Sequence, residues 1–289
     1  MSSPNRRTRK SPRSSKSVTC KKRNAASKYQ VGTSGFMVSK PTWLSMPCLN
    51  CIEINSTFYH LPKETTIESW RQLPEHVGIV IKASKYITHI KRLKDVGEAC
   101  DTLWSRIKPL GRKLRCVLFQ LPPSFVLKDV NLARIQAMKA ILPSGMTPAF
   151  EFRDASWFVP QVYKVMKKLG FCMVGTFIKK QAGTKWLGTM PSGLLMPPRT
   201  ASISYLRVHG ARGYRGALTS KQLLEIRTAL AKRNTRHNFV MFNNTFFDQR
   251  GHHCDILGHQ VKYAAVCNAA EFTSILKPAS MRRSLKRSS

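Results

Sequence analysis

Eight short apolar runs, separated by helical patterns or loops, constrain this chain more than any other feature of its sequence. They are YQVGTSG from Tyr29, NCIEIN from Asn50, VGIVIKAS from Val77, RCVLFQLPP from Arg115, TPAFEFR from Thr147, FCMVGTF from Phe171, ISYLRVHG from Ile203 and NFVMFNN from Asn238. All eight read as strands. Amphipathic stretches lie between them at 88–110, 130–142, 160–169 and 220–233; a Thr219/Gln222 capping box opens the last, and Gly170 closes the third. Eight strands alternating with helices over about 250 residues is the arithmetic of a TIM-like (β/α)8 barrel in a single domain. A doubly wound open sheet is the alternative.

Most of the runs end in polar residues at their C-terminal edge, where barrels of this kind place their sites. Strand alternation puts Glu53 with Asn55, Glu151 with Arg153, and Tyr205 with Arg207 and His209 on one face each; Ile52, Ile54, Phe150, Phe152, Leu206 and Val208 then face the helices. With Lys82, Gln120, Asn243 and Asn244, the polar set points inward at one mouth.

Charge adds a second constraint. The chain carries 49 Lys and Arg against 14 Asp and Glu, a formal net charge of +35. Residues 1–28 hold ten basic side chains, no acids and few large apolar groups, which predicts a disordered tail; residues 277–289 hold five more and read as a second basic arm. The barrel domain is then 29–276. The field these charges create favours an anionic small molecule or nucleic acid as partner. Clusters at Arg6–Lys10 and Lys21–Arg23 resemble a bipartite nuclear address. No apolar run is long enough to cross a bilayer, so an intracellular protein with no membrane partner is expected.

The eight cysteines are scattered through a chain too long to need covalent staples, so reduced thiols are expected. Cys48 and Cys51 form a CxxC pair before the second strand, while His252, His253, Cys254 and His259 follow the eighth. Placed at opposite ends of a barrel, the two groups do not meet, and no metal site is assigned. No motif assigns a cofactor.

The blocks GTSGF (32–36), EINSTFYHLP (53–62), KASKYITH (82–89), FQLPPSF (119–125), EFRDASW (151–157), YLRVHG (205–210), FNN (242–244) and CNAAEF (267–272) together resemble the YecE-like family, domain of unknown function 72. The resemblance spans about residues 30–276 and implies a (β/α) barrel; it implies no established activity. Only residues 37–52 separate the first two blocks, where the family has a longer segment, so a shortened first helix is expected. FCMVGTF offers Gly175 and Thr176 where the family commonly carries an Asp. The resemblance also marks His89 as a site position.

The inward set can serve chemistry in one of two ways. Glu53 and Glu151, desolvated, can act as general acid or base with His209 as the other titrating partner. Asn55, Tyr59, Lys82, His89, Gln120, Arg153, Arg207, Asn243 and Asn244 then line a site for a phosphorylated or otherwise anionic substrate, and hydrolase or lyase chemistry is expected. Arg212 and Arg215, in the glycine-rich HGARGYRG loop after the seventh strand, add a candidate anion site. Alternatively the glutamates simply neutralise Lys82 and Arg207 in a buried network. The rival to any enzyme is a non-catalytic nucleic-acid-binding protein that uses its basic tails and surface. If the tails hold a phosphate backbone, removing both should flatten the dependence of log affinity on log salt for an oligonucleotide. An unchanged slope in fluorescence-anisotropy titrations of the truncated chain removes the tails from binding.

Overall fold

The computed structural model describes residues 16–18, 20, 22–23, 27–179, 188–210, 215–243 and 254–276. Along the chain run β1 (Lys16–Ser17), β2 (Tyr29–Ser34), α1 (Lys40–Leu44), β3 (Cys51–Ile54), α2 (Glu64–Arg71), β4 (Gly78–Lys82), α3 (Gly97–Ile107), β5 (Leu114–Gln120), α4 (Asp129–Ile141) and β6 (Pro148–Glu151). There follow α5 (Pro160–Leu169), β7 (Cys172–Met173), β8 (Gly175–Ile178), β9 (Gly193–Leu195), β10 (Ile203–Val208), α6 (Ser220–Ala231), β11 (His237–Phe242), β12 (Cys254–Ile256), β13 (His259–Val261) and α7 (Ala264–Ile275). Every one of the eight apolar runs contains a strand; the sixth is split at Val174 into β7 and β8.

Ten strands form one curled sheet in the order β7-β6-β5-β4-β3-β2-β11-β10-β8-β9. From β2 to β7 parallel neighbours are consecutive in the chain, β8 pairs with β10 while β9 lies antiparallel outside it, and the sheet's first strand, β2, pairs with β11, placing Val31 opposite Val240. A doubly wound sheet reverses direction instead of pairing its first strand with its last, so that alternative is excluded. Cys172 and Met173 pair with β6, whereas Gly175, Thr176 and Phe177 pair with β10.

Local signals explain the helix limits. Proline sits in the first turn of α5, and Gly170 closes it in the left-handed conformation at φ 73°. The Thr219 side chain accepts from the Gln222 amide, and the Gln222 side chain returns to the cap backbone. Helix α1 has five residues, as the short 37–52 interval allows.

The strands sort their side chains by parity. Ile52, Ile54, Phe150, Phe152, Leu206 and Val208 are buried in the apolar layer shared with the helices. Cys51, Val80, Leu118, Ala149, Tyr205 and Met241 belong to a separate apolar cluster on the other face. Glu53, Lys82, Gln120, Glu151 and Arg207 each lie two residues beyond one of these inner positions, so the same face carries them at its C-terminal edge.

Two expectations fail. Cys20 is bonded to Cys48 and Cys254 to Cys267, while Cys51, Cys100, Cys116 and Cys172 are free and buried. Chain length argued that the core needs no staples, and the bonds in fact fasten peripheral pieces: the segment before β2, and the hairpin of β12 and β13. Among described residues no cluster of potential metal ligands occurs. The second failed expectation is that residues 1–28 are wholly a solvated tail. β1 pairs in parallel with β12, Val18 is buried, its amide donates to Asp255, and the Arg23 amide donates to Pro47. The N-terminal segment thereby joins the loop carrying Cys48 to the hairpin, whose His259 ring lies 3.2 Å from the Ser45 hydroxyl. Cys48 and Cys254 thus share one flank. Residues 1–15 and 277–289 lie outside the described residues, as do His252 and His253. No described helix is long and apolar enough to cross a membrane.

Gly32 shows how tightly the first two strands approach. A Cβ there would lie 1.5 Å from the carbonyl oxygen of its partner Cys51. Gly32→Ala should therefore cost about 4 kcal/mol or more, or abolish folding, because rigid paired backbone must move. Urea denaturation that leaves the midpoint unchanged contradicts this close approach.

Candidate functional site

The inner C-terminal edge is organised by one buried arginine. Arg207, from β10, donates from Nε to Glu53 at 3.0 Å and from a terminal nitrogen to the other oxygen of Glu53 at 2.7 Å, a bidentate fork on β3. Its other terminal nitrogen donates to Glu151 of β6 at 2.8 Å. The Tyr205 hydroxyl donates to Glu53, and Arg153 pairs with the second oxygen of Glu151. His209 Nε2 stands 4.0 Å from that oxygen and 3.4 Å from Arg153. All six side chains are buried.

Burial sets the direction in which each group titrates, and neighbours then correct it. Burial pushes the Glu53 carboxyl up, but the charge and hydrogen bonds of Arg207, with Tyr205 and Ser34, outweigh it and hold the group below the ordinary carboxylate range. Burial and then Arg153, Arg207 and Lys82 press His209 well below an ordinary imidazole. Glu53 is therefore ionised and His209 neutral at neutral pH.

Two carboxylates thus meet Arg207 and Arg153, and Lys82 is a third cation. Lys82 makes no ion pair within 4.0 Å among the described residues; its Nζ sits 4.1 Å from the centre of the Phe58 ring. Burial, followed by Arg207, brings its ammonium down to about 8. His89 packs edge-on against the same Phe58 ring at 4.9 Å, and burial followed by Lys82 brings it down to about 4. The Thr88 hydroxyl donates to the Ser84 carbonyl at 3.0 Å and lies 2.9 Å from His89 Nδ1. That hydroxyl has spent its proton, so Nδ1–H donates to it and Nε2 keeps a lone pair.

The other expected residues fall around this centre unevenly. Asn55 follows β3 with its Oδ1 buried and without a hydrogen-bond partner. Gln120 turns back to the Leu121 carbonyl at 3.3 Å, and Asn243 is fixed through its backbone amide to Val208. Tyr59 is 69 % exposed, edge-on to Phe58. Arg215 is exposed, with its backbone close against Gly210. Arg212, Asn244 and half of the HGARGYRG loop, residues 211–214, lie outside the described residues. Trp157 is core: it stacks between Phe125 and Phe152.

Sequence reasoning missed the space beside this centre. A cavity of about 370 Å³ is lined by Thr57, Leu61, Ser84, Tyr86, Asp95, Glu98 and Thr102, among others. The Thr57 hydroxyl bonds the Lys82 carbonyl at 2.7 Å, which joins cavity wall to strand end. Tyr86–Ile90 form one turn of π-helix, and Arg92, Leu93 and Asp95 follow in left-handed backbone at φ 48°, 62° and 49°. This strained path delivers Asp95 to the wall, and in IKRLKDV only Asp95 itself is of a type that favours turns.

A curled, mainly parallel α/β sheet with a buried charge network at its C-terminal edge defines the class of protein. The chain matches the family described as Protein of unknown function DUF72 over residues 45–275, and it belongs to that family. It is 31 % identical over 121 residues to the UPF0759 protein YunF of Bacillus subtilis, a match covering 39 % of this chain and 42 % of that relative's length. A DUF72 family protein (EF0366) from Enterococcus faecalis superposes with TM-score 0.69 at 19 % identity, covering 87 % of this chain and 98 % of the other. One from Thermotoga maritima (TM1631) gives 0.67 at 23 % identity, over 87 % and 100 %. These likenesses establish the fold.

Two outcomes follow from the network. Glu53→Gln should destabilise by about 3–5 kcal/mol, since Arg207 loses a buried countercharge. Stability should also begin to fall below about pH 6.5, because the unfolded chain then protonates a histidine that the fold keeps neutral at His209. The slope per such histidine reaches about 1.4 kcal/mol per pH unit, and His209→Gln should reduce it. Equilibrium unfolding across pH 4.5–7.5 checks both; a flat profile means His209 is protonated in the fold.

Proposed function

We propose that this chain binds a phosphorylated, hydroxyl-rich small molecule at the C-terminal edge of its strands, with Lys82 as the ammonium that receives the anion. In this reading the sheet closes as a complete (β/α)8 barrel, supported by the β2–β11 pairing and by β7 and β8 taking opposite neighbours on either side of Val174. The edge is then a mouth. Glu53, Glu151 and Arg207 hold one another and frame it, and Lys82 and His89 stand beside them for a ligand's anionic group.

The observation that carries the proposal is the uncompensated cation. Lys82 is half-buried beside two arginines, and the nearby carboxylates are engaged by Arg207 and Arg153. Holding a positive group there costs free energy that a bound anion recovers. Asn55 offers an unpartnered acceptor, and the adjoining cavity presents Thr57, Ser84 and Thr102 hydroxyls with the Asp95 and Glu98 carboxylates, partners suited to a sugar. Hydrolase or lyase chemistry on such a substrate would draw its base from neutral His89 and its acid from Lys82. The net charge of +35 supports a second reading, nucleic-acid binding through the surface.

Sugar phosphates and sugar acids should raise the melting temperature saturably, and the effect should weaken as pH rises through about 8. Lys82→Gln should abolish the shift while leaving the unliganded protein as stable or more so. A ligand shift that survives Lys82→Gln places the anion elsewhere.

A further inference from the structure

The opposite edge of the sheet holds a second concave site. A cavity of about 620 Å³ opens at the strand N-termini, lined by Leu114 and Arg115 of β5, Ile203 of β10, His237 and Phe239 of β11, and Arg112 and Arg236 just before β5 and β11. That volume is the size of a small-molecule site.

Its composition is one-sided. Three guanidinium groups face one carboxylate, Glu75, whose side chain is 95 % exposed and already lies 3.3 Å from the Lys113 ammonium. Lys113 in turn donates to the Leu73 and Pro74 carbonyls, so it is fixed away as a structural lysine. Closing the bottom of such a sheet needs short loops and apolar side chains, and like charges gathered in one concavity repel. The guanidinium groups therefore ask for an anion.

Arg115 is placed for one. Its stem crosses Gly78, where an added Cβ would meet Arg115 Cγ at 2.7 Å, and its Nε is buried without a hydrogen-bond partner. The floor differs from the rim: Ile203 and Phe239 are buried apolar groups, and the His237 ring lies 6.4 Å from the Phe239 ring. His237 is held through Nδ1 to the Ser27 carbonyl, and burial keeps it below an ordinary imidazole. It is therefore a neutral, flat wall and not a further cation.

We propose that this N-terminal cavity binds a phosphate ester carrying an aromatic group, a nucleoside monophosphate in size and chemistry, with Arg112, Arg115 and Arg236 on the phosphate and Phe239, Ile203 and His237 against the base. Guanidinium forks match phosphate oxygens, and the apolar floor gives an aromatic body a reason to enter that inorganic phosphate lacks.

Calorimetric titration of the full chain tests it, using adenosine monophosphate, adenosine and inorganic phosphate as probes. The monophosphate should bind saturably at one site and at least ten-fold more tightly than either fragment. Arg115→Gln/Arg236→Gln should weaken it ten-fold or more, and Lys82→Gln, at the other edge, should leave it unchanged. If the double variant does not fold, the exposed Arg112→Gln should still weaken binding several-fold. No saturation, equal affinity for inorganic phosphate, or binding that survives the arginine substitutions overturns the proposal; loss of binding in Lys82→Gln overturns it too, by assigning the ligand to the other edge.

Discussion

Arg207 is the residue on which the inner C-terminal edge depends. One planar cation from β10 reaches Glu53 on β3 and Glu151 on β6, strands that are not its neighbours in the sheet order. Curvature alone makes that possible, and the bridge in turn fixes the curvature. A fork holding two carboxylates has few acceptable geometries, so the interaction specifies shape more than it adds stability. Replacing all three groups by apolar ones could be energetically neutral, whereas removing one leaves a stranded charge. Both oxygens of Glu53 accept from Arg207, and the field that keeps this carboxylate ionised at neutral pH is the field that opposes its protonation.

The same network acts on the two titratable groups beside it. A lysine added to a site already balanced has its charge disfavoured by burial and by Arg207, and a histidine beside that lysine is disfavoured further. Lys82 and His89, which share one aromatic neighbour in Phe58, are thus both pushed down, to about 8 and about 4, and the gap between them stays the ordinary one between a lysine and a histidine.

Much of this was legible in the sequence because strands have a period of two. Parity alone separated Glu53, Glu151 and Arg207 from Ile52, Phe150 and Leu206, and it did so correctly because both faces are packed. Parity cannot say who pairs with whom. The bridge joins residues up to 154 positions apart, which no local pattern encodes. Nor could spacing reveal the cysteine bonds, since Cys20 and Cys48 stand 28 positions apart and only the folded chain brings them together. Length argued against staples by considering the core alone, and the bonds tie the N-terminal segment and the β12–β13 hairpin to that core.

That placement bears on how the charged ends of the chain relate to its body. The segment from Lys16 to Lys28 is rich in Lys and Arg and poor in apolar groups, so its burial alone supplies little to offset ordering entropy. Among its described residues, a covalent bond to Cys48, a two-residue pairing with β12, the Arg23 amide on the Pro47 carbonyl and the buried side chain of Val18 hold it. The Ser27 carbonyl at its end orients His237 in the N-terminal cavity. A bond at the periphery therefore reaches the cavity wall through the backbone. Reduction of Cys20–Cys48 would loosen the segment and with it the orientation of His237, while the Arg207 network, which shares no contact with the segment's described residues, would stand.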